Sequence, residues 1–182
     1  MRVSARTFAV RAVLAAVVAL SAPFPASASV PPRLASSRLP DMERRVLAMH
    51  NLARAARGIA PLRWNPALAA GAALWAGDLA RRGVFEHSRH LDGVGENLWA
   101  GTPGAFSLEH MVGRWVAERQ LFKPGVFPDN SMTGHWKQVG HYTQIMWRST
   151  TSVGCAIAHG WRADVLVCRY APAGNVYGEM PF

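Results

Sequence analysis

The stretch Gly140-His141-Tyr142-Thr143-Gln144-Ile145-Met146-Trp147 joins the glycine-rich middle of the chain to its β-rich end. Its sequence predicts a short helical turn over residues 142–147, with His141 at the start of that turn. The glycine directly before the histidine permits main-chain conformations that aim the imidazole into a cleft. A single histidine in such a position is more often a core or surface residue than a ligand. Its role therefore depends on which other polar side chains lie near it.

The sequence after this stretch is typical of β structure. Residues 152–158 and 163–170 predict two strands around a turn at His159-Gly160. Cys155 and Cys168 lie about equally far from that turn, so they would face each other across an antiparallel pair. In an oxidising compartment we expect them to form a disulfide, which would constrain the unfolded chain by about 3 kcal/mol. Two free buried thiols are the alternative.

Three helices are predicted before this stretch, beginning at Asp41, at Asn65-Pro66 and at Ser107. Apolar residues recur at helical spacing in each of them: Met42, Val46, Met49 and Ala53 in the first, Leu68, Ala72, Trp75 and Leu79 in the second, and Leu108, Met111 and Trp115 in the third. Residues 84–104 lose this periodicity and collect glycines, which predicts a loop with a short strand over 96–100.

Polar side chains in these segments are candidates for a site. Glu118 follows Met111 by seven residues, so on a continuous helix it lies within about 20° of Met111 on the inward face. A buried carboxylate needs a cationic, hydrogen-bonding or metal partner, whereas a glutamate at the helix end could instead turn out to water. The glycine-rich loop adds His87 and Glu96. Two histidines and two carboxylates can hold a divalent cation or share protons, although their spacing matches no local motif such as HExxH.

The chain begins with the features of an export signal: a basic leader with three arginines, an apolar run over 13–20, and the small residues Ala26-Ser27-Ala28. We predict a signal peptide over 1–28, a flexible arm over 29–40 and one domain over 41–182. The apolar run is shorter than the roughly 20 residues that cross a bilayer, so we expect no transmembrane segment in the mature chain. A retained anchor helix is the alternative.

The formal net charge of the 182-residue chain is +9, of which three positive charges belong to the leader. The remaining basic residues are scattered and form no dense run with interleaved aromatics, so we expect no nucleic-acid partner. Their charge favours a mild attraction to anionic envelope or cell-wall surfaces. The richness in alanine and arginine is typical of a high-GC bacterium. We expect a monomer that is secreted, in the periplasm or outside the cell.

Four stretches together resemble the CAP superfamily (SCP domain), which unites cysteine-rich secretory proteins, insect venom antigens and plant pathogenesis-related class 1 proteins. They are His87-Ser88, Gly95-Glu96-Asn97-Leu98, the stretch over 140–147, and Cys168-Arg169-Tyr170-Ala171-Pro172-Ala173-Gly174-Asn175. They occur in the family's order, and the likeness covers about Asp41 to Phe182. The resemblance implies an α+β fold, a three-layer α-β-α sandwich with a central antiparallel sheet. It also implies a cleft lined by two histidines and two glutamates.

On this resemblance the four cleft positions are His87, Glu96, Glu118 and His141. Glu118 matches because it follows Trp115 by three residues, as in the family's Trp-x-x-Glu pattern. Helical phase and family resemblance therefore select the same glutamate. His90 is a rival to His87 but ranks lower, because Ser88 fixes the match. Relatives in plants and animals usually carry further cysteines, whereas this chain keeps only the hairpin pair.

The favoured function is a secreted binding module without catalysis. His87 and His141 would ligate a divalent cation, zinc, as neutral imidazoles, with Glu96 and Glu118 as outer partners or as ligands through water. Some relatives bind sterols or other lipids, so a lipid, a sterol or a cell-surface component is a candidate ligand.

The main alternative is an extracellular, protease-like hydrolase assisted by the metal. Glu96 or Glu118 would then be the catalytic general base on a water molecule, while Ser88 and Thr143 are weaker nucleophile candidates. A third hypothesis is a purely structural cluster that pins the loops around the helices. The binding hypothesis is favoured because a polar cleft establishes a site more firmly than a reaction. Three tryptophans outside the apolar stripes are candidates for exposed ligand platforms: Trp99, Trp136 and Trp161.

Overall fold

The computed structural model describes residues 41–182. Its elements in chain order are α1 (Asp41–Ala55), β1 (Arg63–Trp64), α2 (Pro66–Arg82), β2 (Gly95–Gly101), α3 (Leu108–Ala117), α4 (Gly140–Met146), β3 (Ser152–His159) and β4 (Asp164–Ala171). Single 3₁₀ turns follow α3 at Glu118–Gln120 and precede α4 at Trp136–Gln138. The predicted signal peptide over 1–28 and arm over 29–40 lie outside the described residues. Within 41–182, no helix is both long and apolar enough to cross a membrane.

The four strands form one sheet in the order β1-β3-β4-β2. The three long strands were predicted from sequence, and they pair antiparallel as expected, β3 with β4 and β4 with β2. Strand β1 is an addition: it pairs parallel to β3, with Arg63 opposite Ser152. A strand of two residues is too short to show alternation, so sequence periodicity could not predict it.

The predicted disulfide is present and links β3 to β4. Cys155 stands directly opposite Cys168 in the register of the two strands, and the two sulfurs are bonded. Their Cα atoms lie 4.1 Å apart, which is typical of a non-hydrogen-bonded pair in an antiparallel ladder. The main chain of Cys168 therefore turns its hydrogen-bonding groups away from β3 and toward β2.

Helices cover both faces of the sheet, so the expected three layers are confirmed. Alternate residues of β4 divide between two apolar clusters. Leu166 and Cys168 pack with side chains of α1, α3 and α4, while Val165 and Val167 pack against α2. Strand β2 forms one edge of the sheet, between the layers.

Helix α2 begins and ends where its sequence predicts. The Asn65 side chain accepts hydrogen bonds from the first main-chain N–H groups of the helix, and Pro66 occupies the first helical position. Gly83 closes the helix with a φ of 67°, a left-handed conformation that glycine adopts at little cost. This helix covers the face of the sheet opposite the other three.

The buried stripe of α1 differs from the prediction and is largely polar. The fully buried positions are Val46, His50 and Arg54, each four residues after the last, whereas the predicted Met42 and Met49 are only partly buried. The Arg54 guanidinium donates to four carbonyl oxygens, those of Ala60, Ile145, Trp147 and Thr150. These bonds satisfy the buried cation and tie α1 to the turn between α4 and β3.

Candidate functional site

A cavity of about 430 Å³ lies beside the edge strand β2. Three of the four predicted site residues line it: His87 from the loop before β2, Glu96 from β2, and His141 from the first turn of α4. The remaining wall is mostly apolar and includes Phe85, Leu98, Phe127, Trp136 and Tyr177. Glu118 lies behind His141 and is hydrogen-bonded to it. The structure thus brings all four residues into one region, as two histidine–glutamate pairs.

The first pair joins His87 to Glu96. His87 Nδ1 lies 2.9 Å from Glu96 Oε1, and the Ser88 main-chain N–H donates to the same oxygen at 3.0 Å. Arg169 Nε donates to the second carboxylate oxygen at 3.4 Å. The Glu96 side chain is 0% exposed, whereas the His87 side chain is 59% exposed. A buried carboxylate, balanced by Arg169, therefore anchors an imidazole that reaches solvent.

The second pair joins His141 to Glu118 at the start of α4. His141 Nδ1 lies 2.6 Å from Glu118 Oε1, and Oε2 accepts from the main-chain N–H groups of His141 and Tyr142, each at 3.0 Å. The residue before α4, Val139, offers no capping side chain. Glu118 therefore caps this helix from a distant part of the chain, and its charge suits the helix N-terminus. The Trp115 ring stacks on His141 with centroids 5.7 Å apart.

Helical phase predicted the inward direction of Glu118, although α3 ends one residue earlier, at Ala117. Glu118 is the C-cap residue of α3 and still has right-handed helical dihedrals, with φ −59° and ψ −17°. The phase argument therefore holds at this position despite the change to a 3₁₀ turn. The capping of α4 by Glu118 could not be predicted, because it depends on how α3 and α4 pack.

The two carboxylates fix the tautomer of each neutral imidazole. An ionised carboxylate only accepts, so the hydrogen of the neutral ring lies on Nδ1 and the lone pair on Nε2. Within residues 41–182, neither Nε2 atom has a hydrogen-bond partner. Both rings line the same cavity. They therefore offer it two unprotonated nitrogens of the type that binds zinc.

The type and number of donor atoms decide which metal ion the cavity suits. Among the described residues no group of three or more His, Cys, Asp or Glu side chains is placed to hold a metal by itself. The protein can thus offer zinc two imidazole nitrogens, and water or a bound ligand would complete the coordination. The donors fit zinc in chemical type and in their carboxylate support.

A buried hydrogen-bond network that sequence analysis did not predict holds the main chain of His141. Asn97 Nδ2 donates to the His141 main-chain oxygen at 3.1 Å and to the Tyr170 hydroxyl at 3.2 Å. That hydroxyl lies 2.9 Å from His50 Nε2, while His50 Nδ1 donates to the Val46 carbonyl at 2.8 Å. Burial lowers the pKa of His50 to about 4, so its ring is neutral, and burial raises the pKa of Tyr170. Helical spacing from Val46 was the signal that could have placed His50 here.

Gly95 acts by close approach and not by an unusual main-chain conformation. A Cβ built at Gly95 would lie 2.0 Å from Gln144 Oε1, so any larger residue here would displace the Gln144 side chain. The same Gln144 oxygen accepts from the Gly174 N–H at 2.9 Å. Glycine lets two of the family-like stretches touch.

The alternative site residues that the sequence offered lie outside the cavity or already form hydrogen bonds within the protein. His90 lines a separate cavity of about 190 Å³ and not the one lined by His87. Thr143 is fully buried, with its hydroxyl 2.7 Å from Asn175 Oδ1, so it is not an accessible nucleophile. Ser88 contributes its main-chain N–H to Glu96.

The three candidate platform tryptophans have different environments. Trp136 lines the cavity and packs edge-on against Phe127. Trp99 is half-buried against Phe106. Trp161 is 74% exposed, lies outside the cavity and stacks with the Arg162 guanidinium at 4.4 Å. Only Trp136 of the three therefore belongs to the candidate site.

The sandwich, the disulfide and the paired histidines and glutamates define a CAP-type domain. The model of the cysteine-rich secretory protein (CAP) family matches residues 47–170, and the chain belongs to this family. It is 34% identical to pathogenesis-related protein PR-1 of Medicago truncatula, over 86% of this chain and 88% of that protein. It is 38% identical to pathogenesis-related leaf protein 4 of Solanum lycopersicum, over 75% of this chain and 80% of that protein. These relatives are plant proteins, and the bacterial origin stays a prediction.

Solved structures share the fold. BmVAL-1 superposes with a TM-score of 0.65 at 26% identity, covering 81% of this chain and 85% of that one. NaASP2, solved with Zn²⁺, superposes with a TM-score of 0.63 at 21% identity, covering 81% and 88%. A hookworm platelet inhibitor superposes with a TM-score of 0.64 at 18% identity, covering 79% and 76%. The last two likenesses concern the fold alone.

Proposed function

We propose that this chain is an exported CAP-domain protein that binds one zinc ion through Nε2 of His87 and Nε2 of His141, and holds an extracellular ligand in the adjoining cavity without catalysing a reaction. One observation carries the proposal. Two imidazoles from distant parts of the chain line one cavity, and each has its Nδ1 held by a carboxylate. A carboxylate on Nδ1 is the support that metal-binding histidines ordinarily have.

Export is supported by the leader and by the family's secretory character. Zinc is supported by the donor type, since neutral imidazole suits zinc. The zinc ion named for the NaASP2 structure belongs to that protein and makes zinc the first cation to test here. When bound, zinc would supply a Lewis-acidic centre for an oxygen or nitrogen atom of the ligand. Glu96 and Glu118 would hold the rings in place and keep the hydrogen on Nδ1.

Binding is favoured over hydrolysis because both candidate general bases are engaged. Glu96 accepts from Ser88 and Arg169 as well as from His87. Glu118 accepts from two main-chain N–H groups and from His141. A general base must have a lone pair directed at the proton that it removes. In this geometry each carboxylate oxygen already accepts at least one hydrogen bond from the protein, and the Glu96 side chain is fully buried.

The apolar part of the cavity suggests the class of ligand. Phe127, Trp136 and Tyr177 form an aromatic wall beside the two histidines. A cavity of about 430 Å³ with a few polar groups has the size and character of a small-molecule site. A lipid, a sterol or an aromatic part of a cell-surface component would fit this chemistry.

Calorimetric titration with zinc chloride at pH 7.5 tests the metal site. We expect about one equivalent of zinc to bind wild-type protein, and no binding to the variant with both His87→Ala and His141→Ala. The matched control is His159→Ala, because His159 Nδ1 also lies 2.9 Å from a carboxylate, that of Asp164, outside the cavity. Control protein should bind zinc like wild type. Equal uptake by all three proteins would overturn the proposal, with circular dichroism as the check on folding.

A further inference from the structure

The outer edge of β2 lines the cavity at Glu96, whose main-chain groups have no partner within residues 41–182. Because Cys168 turns its main chain toward β2, the opposite residue Asn97 bonds to β4, and alternate residues of β2 do the same. The main-chain groups of Glu96 and Leu98 then point the other way, out of the sheet. The hydrogen bond from Trp115 Nε1 to the Leu98 carbonyl, at 3.2 Å, independently supports this direction.

Glu96 exposes its main chain and not its side chain. Its side chain is 0% exposed, yet the residue as a whole is partly exposed, so the accessible atoms belong to the main chain. Within residues 41–182, the Glu96 N–H and C=O have no hydrogen-bond partner. Glu96 also lines the cavity. The cavity floor therefore presents one donor and one acceptor, spaced as a strand edge presents them to another strand.

The surroundings of this edge suit a peptide. Phe85 and Tyr177 line the cavity and are 57% and 69% exposed, which gives apolar contacts for side chains next to the edge. Lys137 also lines the cavity and has no ion-pair partner among the described residues. The other charged residues there are paired, Glu86 with Arg82 and Glu96 with Arg169. The unpaired charge of the cavity is thus positive and complements a carboxylate.

We propose that the cavity binds an extended peptide segment, which adds as a strand to the outer edge of β2 at Glu96, packs an apolar side chain against the aromatic wall, and directs a carboxylate toward Lys137. Strand addition of this kind takes its affinity from main-chain hydrogen bonds and its specificity from pockets for alternate side chains. The proposal takes the cavity of the proposed function and assigns it a peptide in place of a lipid or sterol, and it does not rest on the zinc site. Its test is therefore run both with zinc and with EDTA.

The probes are acetyl-Val-X-Val peptides with a free carboxylate, where X is Phe, Tyr or Leu, together with versions methylated singly at each main-chain nitrogen. Strand pairing predicts an alternating pattern in calorimetric titrations. Methylation at a nitrogen that faces β2 weakens binding by about tenfold or more, while methylation at the next nitrogen leaves affinity unchanged. Equal affinity of all methylated versions would overturn the proposal, and so would the absence of binding at millimolar peptide.

Two further readouts separate strand addition from simple apolar binding. In amide hydrogen exchange, the bound peptide should protect the Glu96 N–H and leave that of Trp99, which faces β4, unchanged. Lys137→Glu should weaken binding of the free-acid peptide and leave its C-terminal amide version unaffected. Unchanged Glu96 exchange in the saturated complex would overturn strand addition. Equal effects on acid and amide would overturn the assignment of the carboxylate to Lys137.

Discussion

Replacing Glu118 by glutamine tests how the site is built, because Glu118 performs two tasks at once. Its Oε2 caps α4 by accepting from two main-chain N–H groups, and its Oε1 holds His141 Nδ1. Glutamine has one carbonyl oxygen, so it can serve either the helix or the ring. If its oxygen caps the helix, its amide nitrogen either faces the Nδ1–H donor of His141 or forces the ring hydrogen onto Nε2, where zinc would bind.

The magnitude follows from these contacts. Leaving a largely buried donor unpaired costs about 1–3 kcal/mol, and loss of the charge at the helix N-terminus costs about 0.3–1 kcal/mol. We therefore expect Glu118→Gln to lower the free energy of unfolding by about 2–3 kcal/mol and Tm by about 5–10 °C. Because the ring loses its orienting partner, zinc affinity should fall by about 10–100-fold.

Urea unfolding followed by tryptophan fluorescence measures the first effect, and calorimetric zinc titration measures the second. The matched control is Glu109→Gln, since Glu109 is an exposed glutamate of α3 that pairs with Arg45 at 2.6 Å. Its loss should cost less than about 1 kcal/mol and leave zinc binding unchanged. If Glu118→Gln is no more destabilising than the control, or binds zinc like wild type, the double role of Glu118 is refuted.

Two further predictions concern the buried polar stripe of α1. The ordinary pKa of histidine is 6.5 and that of buried His50 is about 4, so the unfolded chain takes up a proton at a higher pH than the folded chain does. We therefore expect the free energy of unfolding to fall by about 3 kcal/mol from pH 6.5 to 4. In urea unfolding measured over this pH range, His50→Gln should lack this contribution to the slope of the free energy against pH. Arg54→Lys cannot serve all four carbonyl oxygens that Arg54 serves, so we expect a loss of about 2–4 kcal/mol, against little change for the exposed control Arg57→Lys, by the same unfolding assay. An unchanged slope in the first case, or equal stabilities in the second, would contradict the assigned contacts.

Local patterns predicted the long elements of the fold well. The cap at Asn65, the stop at Gly83 and the paired cysteines each depend on residues close in sequence or on simple strand symmetry. Strand β1 was missed because two residues are too few to show alternation, and the polar stripe of α1 was missed because it depends on tertiary contacts. The stripe is buried because four carbonyl oxygens meet Arg54, and only the tertiary structure brings those oxygens together.

The candidate site was likewise predictable only in part. The resemblance to the CAP superfamily selected His87, Glu96, Glu118 and His141, and helical phase independently selected Glu118. The sequence did not reveal that each glutamate would hold one histidine, because that pairing depends on the approach of α4 to α3 and of a loop to β2. The exposure of the Glu96 main chain could not be predicted from sequence either, because it follows from the strand order and the pairing direction.

The most direct test of the zinc site is a long-range ¹H–¹⁵N correlation spectrum of the histidine rings, recorded as zinc is added to wild-type protein. In the free protein, we predict that His87 and His141 carry their hydrogen on Nδ1. As zinc is added, the Nε2 signals of both rings should shift together, and the shifts should reach their final values near one equivalent of zinc. The ring signals of His159 should not shift. Hydrogen found on Nε2 in the free protein, or a zinc-induced shift in only one of the two rings, would contradict a cation held jointly by His87 and His141.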